Sequence, residues 1–148
     1  PEMCAYLFEY DSVFGPWRGS VSLEGGSLVV DGRRVPLYRT ADLSALDLKG
    51  VDVGMECTGR GGDRQVAERG LRGGAGRVLI SGPSSAAEVT VVLGANDDRL
   101  RDQRIVSNAS CTTNALAPLA RLIHANWGIV TGSMTTVHCY TGSQPTVD

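Results

Sequence analysis

Arg104-Ile105-Val106-Ser107-Asn108-Ala109-Ser110-Cys111-Thr112-Thr113-Asn114 turns from a β-rich run into a helical one within a few residues. Ile105 and Val106 suit a buried strand. Beyond Cys111, the residues Leu116, Leu119, Ala120, Ile123 and Trp127 recur at three- and four-residue spacing. That spacing predicts a helix to about residue 126, stopped by Gly128. Pro118 lies beyond the first turn, so a kink or a displaced first turn is expected there. Cys111 thus sits at a strand-to-helix junction among small hydroxyl and amide residues. Free backbone N–H groups and the positive helix end favour a thiolate at such a place. The same donors would meet an oxyanion formed on a carbonyl attacked by that thiolate.

Upstream, the pattern repeats this strand-and-loop grammar. Residues 20–39 read as a small β-meander with apolar Val21, Leu23, Leu28, Val30, Val35 and Leu37, turning at Gly25-Gly26 and Asp31-Gly32. Residues 40–49 predict a short helix or loop whose Leu43, Leu46 and Leu48 are covered by neighbours. Residues 50–59 read as a buried strand ending in the tight turn Thr58-Gly59, followed by a helix over 63–71 that Gly73-Gly74 stops. Val78-Leu79-Ile80 is a core strand ending at Ser81-Gly82-Pro83, and 89–93 is another. Strands separated by a helix, each ending in Gly, Ser or Thr, predict a mostly parallel α/β sheet. Ligands bind at the carboxyl ends of strands in that architecture. A long Thr- and Val-rich strand is expected over 129–141.

Composition bounds the function. The 148 residues suffice for a real core, and 42% hydrophobic with 20% charged residues is ordinary for a globular chain. A net charge of −2, with Lys49 the only lysine and the arginines scattered, gives no case for nucleic acid or an anionic membrane. No apolar run approaches the roughly 20 residues needed to span a bilayer, and the N-terminus has no signal-peptide pattern. Position 1 is Pro rather than Met, which points to a chain that was processed or cut from something longer. Cys4, Cys57, Cys111 and Cys139 are dispersed without a Cys-x-x-Cys pair, which favours free thiols in a reducing cytosol. Cys111, His124, His138 and Cys139 do not fall at zinc-site spacing, so no metal is expected.

Element lengths bring a base to the cysteine. A helix over 111–126 advances about 24 Å at roughly 1.5 Å per residue. An antiparallel strand over 129–138 returns about 30 Å at roughly 3.3 Å per residue. His138 can therefore come back beside Cys111, a recurring nucleophile–base pair in which the imidazolium lowers the thiol pKa. The plainer readings are that a cytosolic cysteine is a small buried hydrophobe and that a strand histidine is structural. The polar flanks of Cys111 and the helix start weigh against them. Cys57 and Cys139 are read as structural, and His124 as a solvated side chain. Thr58-Gly59 is either a simple turn or a ligand contact.

At these residues the chain resembles a known family. Ser107 to Asn114 is similar to the active-site signature of phosphorylating glyceraldehyde-3-phosphate dehydrogenases. The likeness continues in order through Ala5-Tyr6-Leu7, Tyr10-Asp11-Ser12, the turn at Asp31-Gly32, Glu56-Cys57-Thr58-Gly59, Ile80-Ser81-Gly82-Pro83, Gly94-Ala95-Asn96-Asp97 and Met134-Thr135-Thr136-Val137-His138. The resemblance implies the later part of a Rossmann-like dinucleotide-binding domain over 1–110, and the first helix and strand of an α+β catalytic domain over 111–148. It implies Cys111 as nucleophile and His138 as base and acid. Ser110 and Thr112 would hold substrate or the attacking phosphate, and Thr141 the substrate's terminal phosphate. Arg39, Thr58, Gly59 and Ser81 would contact the cofactor, NAD or NADP. The implied partners are a phosphorylated aldehyde, inorganic phosphate and further copies in a homotetramer, in the cytoplasm.

Departures shape the expectation. No Gly-x-Gly-x-x-Gly occurs, and the acidic residue for the adenosine ribose is absent, which leaves NAD versus NADP open. Ala115 stands where the family commonly has a second cysteine, and Gly142-Ser143 departs from the commoner polar pair near the phosphate site. Arg60-Gly61-Gly62 replaces an apolar-aromatic turn. The chain reads as the middle of such an enzyme, expected alone to show no NAD-dependent aldehyde oxidation. Erythrose-4-phosphate dehydrogenase is the alternative within the class. A catalytically idle fragment with bare apolar sheet faces is the alternative outside it. A cysteine–histidine hydrolase of unrelated fold has the pair but no third orienting residue identifiable in sequence.

Overall fold

The computed structural model describes residues 1–139, and its contacts divide the chain into two units, Pro1–Ala41 and Asp42–Asp148. The first begins with helix α1 (Glu2–Glu9), which gives way at Tyr10 to strand β1 (Tyr10–Asp11), paired antiparallel with β2 (Gly15–Pro16). The Asp11 carboxylate closes the turn between them by accepting the Val13 and Phe14 N–H groups, each at 2.7 Å. The expected meander follows as β3 (Val21–Glu24), β4 (Ser27–Val30) and β5 (Arg33–Pro36). Its registers pair Glu24 with Ser27 and Val30 with Arg33. Two-residue turns of that kind need positive φ at both central positions, and Gly25, Gly26, Asp31 and Gly32 supply it. Asp31 tolerates φ 48° because its carboxylate is engaged by the Ser20 N–H at 2.8 Å and Trp17 Nε1 at 3.2 Å.

The second unit opens with a 3₁₀ turn (Leu43–Ala45) capped by the Asp42 side chain. Strand β6 (Val53–Glu56), helices α2 (Arg64–Ala67) and α3 (Arg69–Arg72), and strand β7 (Arg77–Ile80) form a right-order strand–helix–strand run. Strand β8 (Val89–Thr90), a 3₁₀ turn (Asp97–Arg99), strand β9 (Ile105–Ser107) and helix α4 (Cys111–Trp127) complete it. The strands lie in the order β6-β7-β9-β8, all parallel, as the alternation of elements predicts. Ala67, Val78, Ile80, Ala86 and Ile105 form the core on one sheet face, with Leu71 and Ala87 packed against it.

Several elements differ from their sequence reading. The 50–59 strand is not buried on both faces: β6 is an edge strand, and Val53 and Met55 are 49% and 63% exposed on the face away from the core. The helix over 63–71 is two short pieces, with Glu68 between them still at φ −80°, ψ −9°. The strand over 89–93 pairs only at Val89 and Thr90, plus one bond from Val91 N–H to the Ser107 carbonyl. The Val92 N–H leaves the ladder for Asn96 Oδ1 at 2.7 Å, and Asn96 Nδ2 donates back to the Thr90 carbonyl. That local bracket competes with the sheet and wins. Helix α4 spans Cys111–Trp127 with Pro118 inside it, so of the two expectations at that proline the displaced first turn does not occur. Residues 129–139 form no strand, because no neighbouring strand pairs with them and Val130 and Val137 are exposed. Thr141 and Gly142-Ser143 lie outside the described residues.

Candidate active site

The carboxyl ends of β6, β7 and β9 are tied to one another. The Ser81 N–H donates to the Glu56 carbonyl at 3.0 Å, and the Asn108 N–H to the Ile80 carbonyl at 2.9 Å. Ser107, fully buried at the end of β9, donates its hydroxyl to the Gly82 carbonyl at 2.8 Å and accepts the Ala109 N–H at 3.1 Å. Ala109 is buried in the left-handed region at φ 59°, a conformation that costs an alanine about 1–2 kcal/mol. Strain of this kind persists where the surroundings over-determine it. Asn114 provides that constraint by donating to the Asn108 carbonyl at 2.6 Å and the Ser110 carbonyl at 2.9 Å. Ser110 is the N-cap of α4, its Oγ accepting the Thr113 N–H at 3.1 Å. Cys111 is consequently the first residue of the helix.

His138 reaches this helix start. Its Nε2 lies 3.0 Å from Cys111 Sγ. Its Nδ1 donates to the Cys139 main-chain carbonyl. A carbonyl can only accept, so Nδ1 carries a proton and Nε2 faces the sulfur. The hydrogen bond from His138 is the largest cause holding the Cys111 thiol below its ordinary pKa. The imidazolium charge and the Thr112 and Cys111 N–H groups add to it, while partial desolvation opposes it. Reciprocally, the sulfur's hydrogen bond, then the Cys139 carbonyl and the thiolate charge, raise the His138 pKa against desolvation. Each partner of this exposed pair favours the other's charged form.

The other sequence-assigned positions divide by unit. Ser110 and Thr112 flank the sulfur, and their hydroxyls lie 3.1 Å apart, with Thr113 Oγ1 2.7 Å from Ser110 Oγ. Thr58, Gly59 and Ser81 are exposed at the carboxyl ends of β6 and β7. The Thr58 N–H and hydroxyl both donate to the buried Glu56 carboxylate. Gly59, at φ +78°, has open space where a side chain would stand, so a ligand can approach its backbone closely. Arg39 is exposed in the other unit. Cys57 and Cys139, read as structural, are exposed free thiols. His124 is exposed as expected, and its Nδ1 also accepts the Ile129 N–H at 3.1 Å beyond the helix end.

Sequence reasoning gave no role to Ser107, Ala109, Asn114 or Glu56. Asn114 could have been found, since an Asn in the first turn of a helix is poorly placed for propensity and well placed to bond the loop before it. The carbonyl that orients His138 has no sequence signal, because every residue carries one.

A parallel sheet that delivers a thiol to a helix N-terminus beside an imidazole defines an α/β protein with an exposed cysteine–histidine pair. Comparison with known proteins specifies the family. Residues 1–64 match the glyceraldehyde 3-phosphate dehydrogenase NAD binding domain, and residues 110–148 match the C-terminal domain of the same family. A glyceraldehyde-3-phosphate dehydrogenase of Pseudomonas aeruginosa is 48% identical over 143 residues, covering 95% of this chain and 43% of that protein. The Serratia marcescens enzyme is 46% identical over 151 residues, covering 99% and 51%. Glyceraldehyde-3-phosphate dehydrogenase 1 of Kluyveromyces marxianus is 42% identical over 149 residues, covering 99% and 45%. The chain belongs to the glyceraldehyde-3-phosphate dehydrogenase family, and it spans about half the length of these relatives.

Proposed function

We propose that this chain carries the nucleophile and base of an NAD(P)-dependent, phosphorylating aldehyde dehydrogenase acting on a phosphorylated aldehyde. The observation that carries the reading is the 3.0 Å approach of His138 Nε2 to Cys111 Sγ at the start of α4. The Cys111 thiolate attacks the aldehyde carbon to form a thiohemiacetal. The developing oxyanion is stabilised by N–H groups at the helix start. The His138 imidazolium gives its Nε2 proton to that oxyanion and takes it back as the carbon loses hydride and becomes a thioester. The bound dinucleotide supplies the hydride acceptor. Phosphate then attacks the thioester carbon, the C–S bond breaks, and an acyl phosphate leaves the thiolate restored beside the imidazolium.

Ser110 and Thr112 offer hydroxyls for the attacking phosphate, and Thr141 for the substrate's own phosphate. Thr58, Gly59 and Ser81 fit a dinucleotide laid along the strand ends, since they are exposed there and Gly59 leaves its backbone open. Arg39 is assigned to the adenine side. The domain division is placed at 110/111, and the assembly is a homotetramer in the cytoplasm.

The test is the reverse half-reaction, because it asks only for the thiol and its activation. Incubation with the acyl phosphate product should give a thioester at Cys111, seen by mass spectrometry of the intact chain and its peptides. Added inorganic phosphate should remove it, Cys111→Ser should abolish it, and His138→Ala should slow it. A chain that stays unacylated, or that acylates equally at Cys57, overturns the reading.

A further inference from the structure

The turn after β6 presents a cation that no other described group uses. Arg64 and Arg72 hold Glu68, Arg77 and Arg104 hold main-chain carbonyls, and Arg121 holds the Ala95 carbonyl. The Arg60 side chain is exposed and makes no hydrogen bond or ion pair with the described residues. Its backbone, in contrast, is fixed at both ends. The Arg60 N–H donates to Thr58 Oγ1 at 3.3 Å, and its carbonyl accepts the Asp63 N–H at 3.0 Å. Thr58 is itself held by Glu56, and the Gly61 carbonyl accepts the Ser84 hydroxyl at 2.7 Å.

The neighbouring positions add no side chain. Gly61 is buried, and a Cβ there would stand 2.4 Å from Ile80 Cγ2, so Ile80 occupies the space that a larger residue would need. Gly62 is exposed and bare. The 60–62 turn therefore offers the guanidinium of Arg60 alone, next to Thr58 and Gly59, at the sheet end where ligands bind.

We propose that Arg60 contacts a phosphate group of the bound dinucleotide and sets how strongly the site depends on that charge. The proposal rests on the dinucleotide reading of Thr58, Gly59 and Ser81. A guanidinium matches phosphate oxygens with two parallel N–H donors, whereas it gains nothing specific from the neutral parts of the ligand. An apolar-aromatic turn would recognise a base by packing. The Arg-Gly-Gly turn here recognises charge instead. NAD carries the pyrophosphate alone, and NADP adds a phosphate on the adenosine ribose, so the two nucleotides separate the possible sources.

The experiment is a calorimetric titration of the chain and of its Arg60→Ala and Arg60→Lys variants with NAD and with NADP, at low and at raised salt. An exposed charge contact predicts a loss of about two- to fivefold in Arg60→Ala, shrinking as salt rises. Arg60→Lys should retain part of the affinity. A loss confined to NADP assigns the contact to the ribose phosphate, and equal losses assign it to the pyrophosphate. Unchanged affinity of Arg60→Ala for both nucleotides overturns the proposal while leaving the dinucleotide site standing. Failure of the unsubstituted chain to bind either nucleotide overturns both.

Discussion

At the scale of the residue, Cys111 and His138 are an electrostatic unit, and their chemistry follows from mutual charge stabilisation. The Cys111 pKa is lowered chiefly by His138, so its thiolate persists below the usual thiol range near 8.5. The His138 pKa is raised chiefly by Cys111, so the imidazolium persists above its usual value near 6.5. Iodoacetamide should therefore label Cys111 faster than Cys57 or Cys139 at neutral pH. The inflection of its rate against pH should lie below the ordinary thiol value. His138→Ala removes the first cause, so that inflection should move upward toward the ordinary value. Peptide-resolved labelling across pH checks this, and equal rates at all three cysteines would remove the activated-thiol argument.

Asn114 acts on the same site through the backbone. Asn114→Ala deletes both bonds that hold the strained 108–110 loop, which should cost about 1–3 kcal/mol of stability by denaturant titration. It should also slow Cys111 labelling under conditions where the variant remains folded. Cys111 was legible in sequence because its polar flanks and helix start are local. His138 was reachable from element lengths, although residues 129–139 approach without forming the strand that those lengths assumed. The Cys139 carbonyl and the Asn114 bracket were not legible, because both are relations between backbone and side chain that only folded geometry defines.

At the scale of the element, what could be read from sequence depended on whether the decisive interaction was local. The meander turns were legible because Gly25-Gly26 and Asp31-Gly32 satisfy a backbone requirement within two residues. The parallel strands were legible from their apolar runs and terminal small residues. The early end of β8 was not, since Val89 to Leu93 has uniform β character and the competing acceptor, Asn96, lies outside it. Helix α3 owes its seat to Gly70, which is buried against β7. A Cβ there would lie 2.8 Å from Val78 Cγ2, and Val78 is itself buried and stiff at χ1. Gly70→Ala should therefore destabilise the chain by about 1–3 kcal/mol through overpacking, even though alanine is the better helix former. Denaturant unfolding of the variant decides the point. A stabilised Gly70→Ala would mean that α3 lifts away from the sheet without cost.

At the scale of the whole molecule, the sheet of the second unit is covered on one face and bare along β6 on the other. Val53 and Met55 are exposed there, although Val106 is buried. Val53 and Met55 register with Arg77 and Leu79 on the bare face. There Val53, Leu79, Leu100 and Val106 line an apolar hollow of about 140 Å³. Contiguous exposed apolar surface of this kind drives association in water. The chain should therefore self-associate as its concentration rises, with sedimentation velocity showing a shift toward larger species. The Val53→Lys, Met55→Lys double variant places two charges on that face at positions already open to solvent, so it should fold with little loss. It should sediment as a smaller, concentration-independent species. If both proteins sediment alike at every concentration, the bare face does not drive association, and any assembly of this chain uses other surfaces.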